Sequence, residues 1–136
     1  MTKRQRLTAW GVGLLGLVLG VAVTVREETP AGKTTRITPD RDSLSAYATC
    51  MQWDAKTVKR IAGITHYLRH DPPADTLAAT NGSHVWVSAH IPLYPALRHE
   101  WTHLALWPDA DPSHRSFHWF RATQCGAITH LSGLTR

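Results

Sequence analysis

The sequence predicts an α+β domain behind a single N-terminal transmembrane helix, and three stretches carry that prediction. Residues 7–25 contain no charged side chain. Across residues 44–62 apolar side chains recur at intervals of three and four, the spacing that lines one face of a helix. Further on, Val85, Val87, Ala89 and Ile91 alternate with His84, Trp86, Ser88 and His90. That is the period of a strand with one face toward a core, and Asn81-Gly82 just before it is a dipeptide of tight hairpins.

A chain of 136 residues with an apolar tract at its front leaves room for one folded domain of about 100 residues. The formal charge of +5 and the pI of about 9.7 suggest a nucleic-acid binder until the charges are placed. Lys3, Arg4 and Arg6 cluster at the N-terminus, and from Ile37 onward nine Lys/Arg face eight Asp/Glu. The folded part is therefore close to neutral, which excludes a nucleic-acid face as the source of the basic pI.

Residues 1–6 read as a basic cytoplasmic tail. Residues 7–25 are long enough to cross a hydrocarbon core and end without a small-x-small cleavage site, so they read as an uncleaved signal-anchor in a cell membrane rather than a signal peptide. The positive-inside rule then puts the N-terminus in the cytoplasm and the domain outside it. Gly16 and Gly20 form a small-xxx-small pair suited to dimerisation of the anchor. Residues 26–37, rich in Thr, Lys, Pro and Gly, read as a linker, leaving residues 38–136 as the domain.

Thr38-Pro39-Asp40 opens the amphipathic helix, which runs through Leu44, Tyr47, Met51, Val58 and Ala62 to a stop at Gly63. Residues 64–68 form a short strand closed by Asp71-Pro72-Pro73. The hairpin pairs residues 76–80 with 83–89, completing a short antiparallel sheet, with Asn81 and Gly82 both at positive φ. Pro92 and Pro95 open the next helix, which stops before Pro108 and carries Leu97, Trp101 and Leu104 on one side. Asp111-Pro112 opens the last helix, through Phe117 and Phe120 to Gln124. Cys50 and Cys125 leave two readings: a disulfide between the first and last helices, expected in an oxidising compartment, or two buried thiols.

His99-Glu100-Trp101-Thr102-His103 is the stretch with chemistry in it. Residues four apart share a helical face, so His99 and His103 present two imidazoles to one point, with Glu100 one step round. Two neutral imidazoles suit Zn2+, and a carboxylate that does not ligate the metal is placed to serve as general base. With nine histidines in the chain, and Glu27, Glu28 and Glu100 its only glutamates, chance placement gives roughly one occurrence in eighty such sequences. A catalytic zinc needs a third protein ligand. His114 is the first choice and His118 the alternative, one turn apart on the last helix; Asp109 and Asp111 are better explained as turn or capping residues. His66, His70, His84, His90 and His130 read as surface or satisfied core residues, and the tryptophans as packing.

The five-residue motif followed, ten residues later, by His114-Arg115-Ser116-Phe117 resembles the SprT-like and related minimal zincin metallopeptidases over about residues 83–120. The resemblance implies a zincin-like domain in which His99, His103 and His114 hold Zn2+ and Glu100 is the catalytic base. It implies a zinc-dependent endopeptidase whose peptide or protein substrate pairs with the strand at residues 83–89. No glycine follows His114, and a membrane anchor is foreign to the intracellular SprT-like proteins that cut DNA-crosslinked protein, so their substrate does not carry over. Tyr67, Tyr94 and Arg115 are candidates to stabilise the oxyanion. The alternative is an anchored, non-catalytic module in which zinc stabilises a peptide-binding fold.

Overall fold

The computed structural model describes residues 29–108 and 114–128. In chain order they form β1 (Thr34–Ile37), α1 (Arg41–Met51), α2 (Ala55–Ala62), β2 (Thr65–Arg69), β3 (Ala78–Thr80), β4 (His84–Ser88), α3 (Leu93–Leu106) and α4 (Phe117–Gln124). The domain is thus α+β, but the expected transmembrane helix requires correction, and with it the single-pass placement. Among the described residues no helix is long and apolar enough to cross a membrane. Residues 7–25, with Gly16 and Gly20, lie outside the described residues.

The first amphipathic stretch folds as two helices, not one. Asp40, rather than Thr38, caps α1: its carboxylate accepts the backbone N–H groups of Asp42 and Ser43. Gln52 then takes a left-handed φ of 60° and ends α1, and Asp54 starts α2 by accepting the N–H of Thr57 at 2.7 Å. The break turns Trp53 edge-on to Tyr47, with ring centroids 5.2 Å apart. Apolar periodicity continues across the break, which is why spacing alone reads a single helix.

The sheet is mixed, in the order β1-β2-β4-β3. β1 pairs antiparallel with β2 and β3 antiparallel with β4, but β2 and β4 run parallel. Thr34–Ile37, taken as linker, is therefore an edge strand whose partners lie at residues 66–69. β4 is a central strand buried along its whole length, not a strand with only one face toward the core. Its two backbone edges already pair with β2 and β3, so the strand expected to receive a peptide has no free edge, and β3 is the outer strand beside it. In the hairpin only Gly82 has positive φ, at 87°. Asn81 holds the turn instead through Oδ1, which accepts from the N–H groups of Ser83 and His84. A Cβ on Gly82 would stand 2.8 Å from the Trp107 indole, so this glycine is required by contact as well as by conformation.

α3 is the element the others pack around, meeting β3, β4, α1, α2 and α4. Its inner side places Ala96, Leu97, Trp101 and Leu104 in one core with Tyr47, Met51, Ile61, Val85, Val87 and Trp119. Trp101 is fully buried, and its indole N–H donates to His66 Nε2 at 2.9 Å. His66 Nδ1 in turn donates to the Ile64 carbonyl at 2.8 Å, which fixes the neutral tautomer. Burial lowers the pKa of His66 accordingly. Beside it, Thr102 donates its hydroxyl to the Arg98 carbonyl, so Tyr47 is the donor in their 2.7 Å contact. Burial pushes the Tyr47 phenol up to about 12. These bonds lock the back of α3 and so set the direction of its front.

Candidate metal centre

α3 carries two histidines of the site, and the segment before α4 supplies the third. Pro92 opens α3, and the helix runs unbroken through His99, Glu100 and His103 to Leu106. His114 sits ahead of α4 with a φ of 52°. Sequence reasoning placed His114 within the last helix; that helix begins only after Ser116, and the expected cap at Asp111-Pro112 lies outside the described residues. A left-handed residue at this point lets the loop direct its imidazole at the front of α3.

The ligating atoms of His99, His103 and His114 lie within 4.8 Å of one another, so the three histidines are close enough to hold a metal ion. His103 Nε2 stands 3.1 Å from His99 Nε2 and 3.1 Å from His114 Nε2. Nitrogens each roughly 2.0 to 2.1 Å from one tetrahedral ion stand about 3.3 Å apart, so this spacing fits a shared ion. The protons point the same way. His99 Nδ1 faces the Ile128 carbonyl, which can only accept, so His99 donates there and a neutral ring turns a bare Nε2 to the cluster. His103 Nε2 has at most one hydrogen for its two nitrogen neighbours, whereas a cation satisfies all three lone pairs. His118 is exposed and outside the cluster.

Two supports of the site were not legible as such in the sequence. The first is the Ile128 carbonyl, which orients His99 as outer-shell acceptors orient metal-binding histidines. It is held in place because Ile128 N–H donates to the Pro95 carbonyl and Arg98 donates to the Gly126 carbonyl. The Cys50–Cys125 disulfide ties the same segment to α1, closing the bonded one of the two cysteine readings. The second is Trp119, buried in the core, with its ring centroid 4.8, 4.6 and 4.3 Å from those of His99, His103 and His114. Near-equal distances put the indole on the axis of the three rings, as a floor on their core side. Its position five residues after His114 was the available signal, but a tryptophan in so small a domain reads equally well as packing.

Glu100 is 2% exposed, and burial alone pushes its carboxyl up to about 8. Of the oxyanion candidates, Tyr67 is buried in β2 against the ring of His84, and the Tyr94 hydroxyl is engaged by the backbone N–H of Asp40 at 3.0 Å. Arg115 is exposed and adjacent in sequence to His114. His70 bonds Thr35, and His90 donates to the His70 carbonyl, so both serve the strand ends rather than the cluster.

The fold and site together define a small α+β domain with a three-histidine centre on its middle helix. In comparisons with known proteins the chain matches no protein-family model, and neither curated proteins nor solved structures give a match.

Proposed function

We propose that the chain is a zinc-dependent endopeptidase. The single observation that carries this reading is the convergence of three imidazole nitrogens, two of them from α3, where the buried Glu100 directly follows His99 in the chain. His99, His103 and His114 would hold the ion, three neutral nitrogen donors suiting zinc and leaving a coordination position for chemistry. When bound, zinc supplies positive charge that polarises a carbonyl, acidifies water and favours the ionised form of a nearby carboxyl. Glu100 takes a proton from the attacking water and returns it to the leaving nitrogen of the cleaved peptide bond. The outer edge of β3 is the backbone available for an extended peptide, in place of β4. The likeness of the motif to the minimal zincins supports the same assignment.

A second reading, a metal-stabilised module without catalysis, draws on the depth of Glu100 and on Trp119 packing against all three ligand rings. Glu100→Gln decides between the two, since the amide keeps the shape and removes the base. Cleavage of a mixed peptide library by the wild-type chain should fall by about a hundredfold or more in the variant, with zinc content unchanged. Cleavage that survives the substitution overturns the proposed role of Glu100, and a wild type without cleavage leaves the module.

A further inference from the structure

The metal centre draws on two separate parts of the chain. α3 supplies His99 and His103, while His114 ahead of α4, Trp119 within it and the Ile128 carbonyl behind it come from one later stretch. Cys125 closes α4, and the three residues after it form a strap back to α3. Gly126 turns at a φ of 90°, Ala127 is buried, and the Ile128 carbonyl accepts from His99 Nδ1. Two hydrogen bonds hold the strap to α3: Ile128 N–H donates to the Pro95 carbonyl at 3.1 Å, and Arg98 donates to the Gly126 carbonyl at 3.4 Å.

The bond that ties this stretch to the rest of the domain is placed where a reagent can reach it. α4 joins α1 at one corner, through the Cys50–Cys125 disulfide and through Arg121, which donates to Gln52 Oε1 at 2.8 Å. The second join is an exposed hydrogen bond, open to competition from water. The disulfide is the strong one, with its cysteines 75 residues apart in the chain. Cys50 is exposed near the end of α1 and Cys125 is half-buried, and exposed disulfides are the ones that exchange readily with thiols in solution. We infer that this disulfide is a redox control on the metal centre: closed, it keeps the stretch from His114 to Ile128 in place and the ion is held; opened, the stretch loosens and the ion is released. The inference rests on the three-histidine centre proposed above.

The co-reactant is a dithiol. Its thiolate attacks the Cys50 sulfur, the S–S bond breaks and Cys125 leaves as thiolate. The second thiol of the reagent then displaces Cys50, so the reagent departs as a cyclic disulfide. Two electrons pass to the protein, and the two protons of the reagent end on Cys50 and Cys125. With its tether gone the strap lets the Ile128 carbonyl move off His99, and losing such an outer-shell acceptor weakens metal binding by about ten- to a hundredfold.

Zinc competition against a chromogenic chelator tests this on the full-length chain, oxidised and after reduction with dithiothreitol, the reagent being removed by anaerobic desalting. The reduced form should hold zinc about tenfold or more weakly, and reoxidation should restore the oxidised value. Cys50→Ser with Cys125→Ser should match the reduced form and ignore dithiothreitol, which separates the bond from any zinc taken by free thiols. Amide exchange at Ile128, read on metal-free protein, should quicken on reduction while the amides of the central strand β4 stay protected. Equal zinc affinity in the two redox forms overturns the inference and leaves the metal centre standing. An unchanged Ile128 amide also overturns it, as does reduction that unfolds the domain, read as loss of protection across β4. An oxidised chain that takes up no zinc overturns the centre itself and the inference with it.

Discussion

Replacing Trp101 with phenylalanine perturbs the contact that holds the back of α3, and its cost follows from the bonds there. The indole N–H is the donor to His66 Nε2 at 2.9 Å, and both residues are buried. Phenylalanine leaves that acceptor without a partner, worth about 1 to 3 kcal/mol, and leaves a small void worth about 1 kcal/mol more. The sum, about 2 to 4 kcal/mol, should lower the urea midpoint without changing the slope of the transition. The loss should also depend on pH. His66 has a lowered pKa, so as pH falls the unfolded chain takes up its proton before the folded one. The stability contributed by neutral His66 is thus complete above about pH 6.5 and is lost as the pH falls through the lowered folded value. In Trp101→Phe the protonated ring no longer meets an opposing N–H, its folded pKa moves back toward the ordinary value, and the gap between variant and wild type should narrow in acid. Urea unfolding at pH 7.5 and pH 5, with chelator present in both so that metal release does not contribute, reads both effects. A cost under about 0.5 kcal/mol, or a gap that widens in acid, refutes this account of the Trp101–His66 pair.

The remaining predictions concern the staple and the third ligand. Cys50→Ser with Cys125→Ser opens a closure of 75 residues and should cost about 4 kcal/mol of stability, measured by denaturant unfolding. The same change should weaken zinc retention, because the bond holds the segment whose Ile128 carbonyl orients His99. His114→Ala should lose zinc under mild chelation while His118→Ala retains it, as read by metal analysis after dialysis; equal retention in the two removes His114 from the ligand set.

Local spacing carried the reading wherever the determinant is local. The face shared by His99 and His103 follows from four residues of helix, and the strand at His84–Ser88 from simple alternation. Determinants in distant parts of the chain did not show. Thr34–Ile37 has the composition of a tether and becomes a strand only because residues 66–69 offer it an edge. The parallel pairing of β2 with β4 depends on β3 folding back to the far side of β4, which no turn residue announces. Gln52 is an ordinary helical residue by propensity, and its left-handed φ serves the turn that puts Trp53 against Tyr47. At the site, the pair on α3 was legible, and His114 was the first choice for the third ligand because a helix following the motif can bring its start back toward α3. The Ile128 carbonyl is a backbone group, and backbone groups leave no trace in composition.

The central claim is that three histidines form one metal centre, and metal analysis of the full-length chain tests it most directly. Protein prepared without chelator and dialysed against metal-free buffer should hold one zinc per chain, and His99→Ala, His103→Ala and His114→Ala should each hold close to none. Wild-type protein that is folded, with its disulfide formed, yet carries only trace zinc and takes up none when zinc is supplied, would contradict the account.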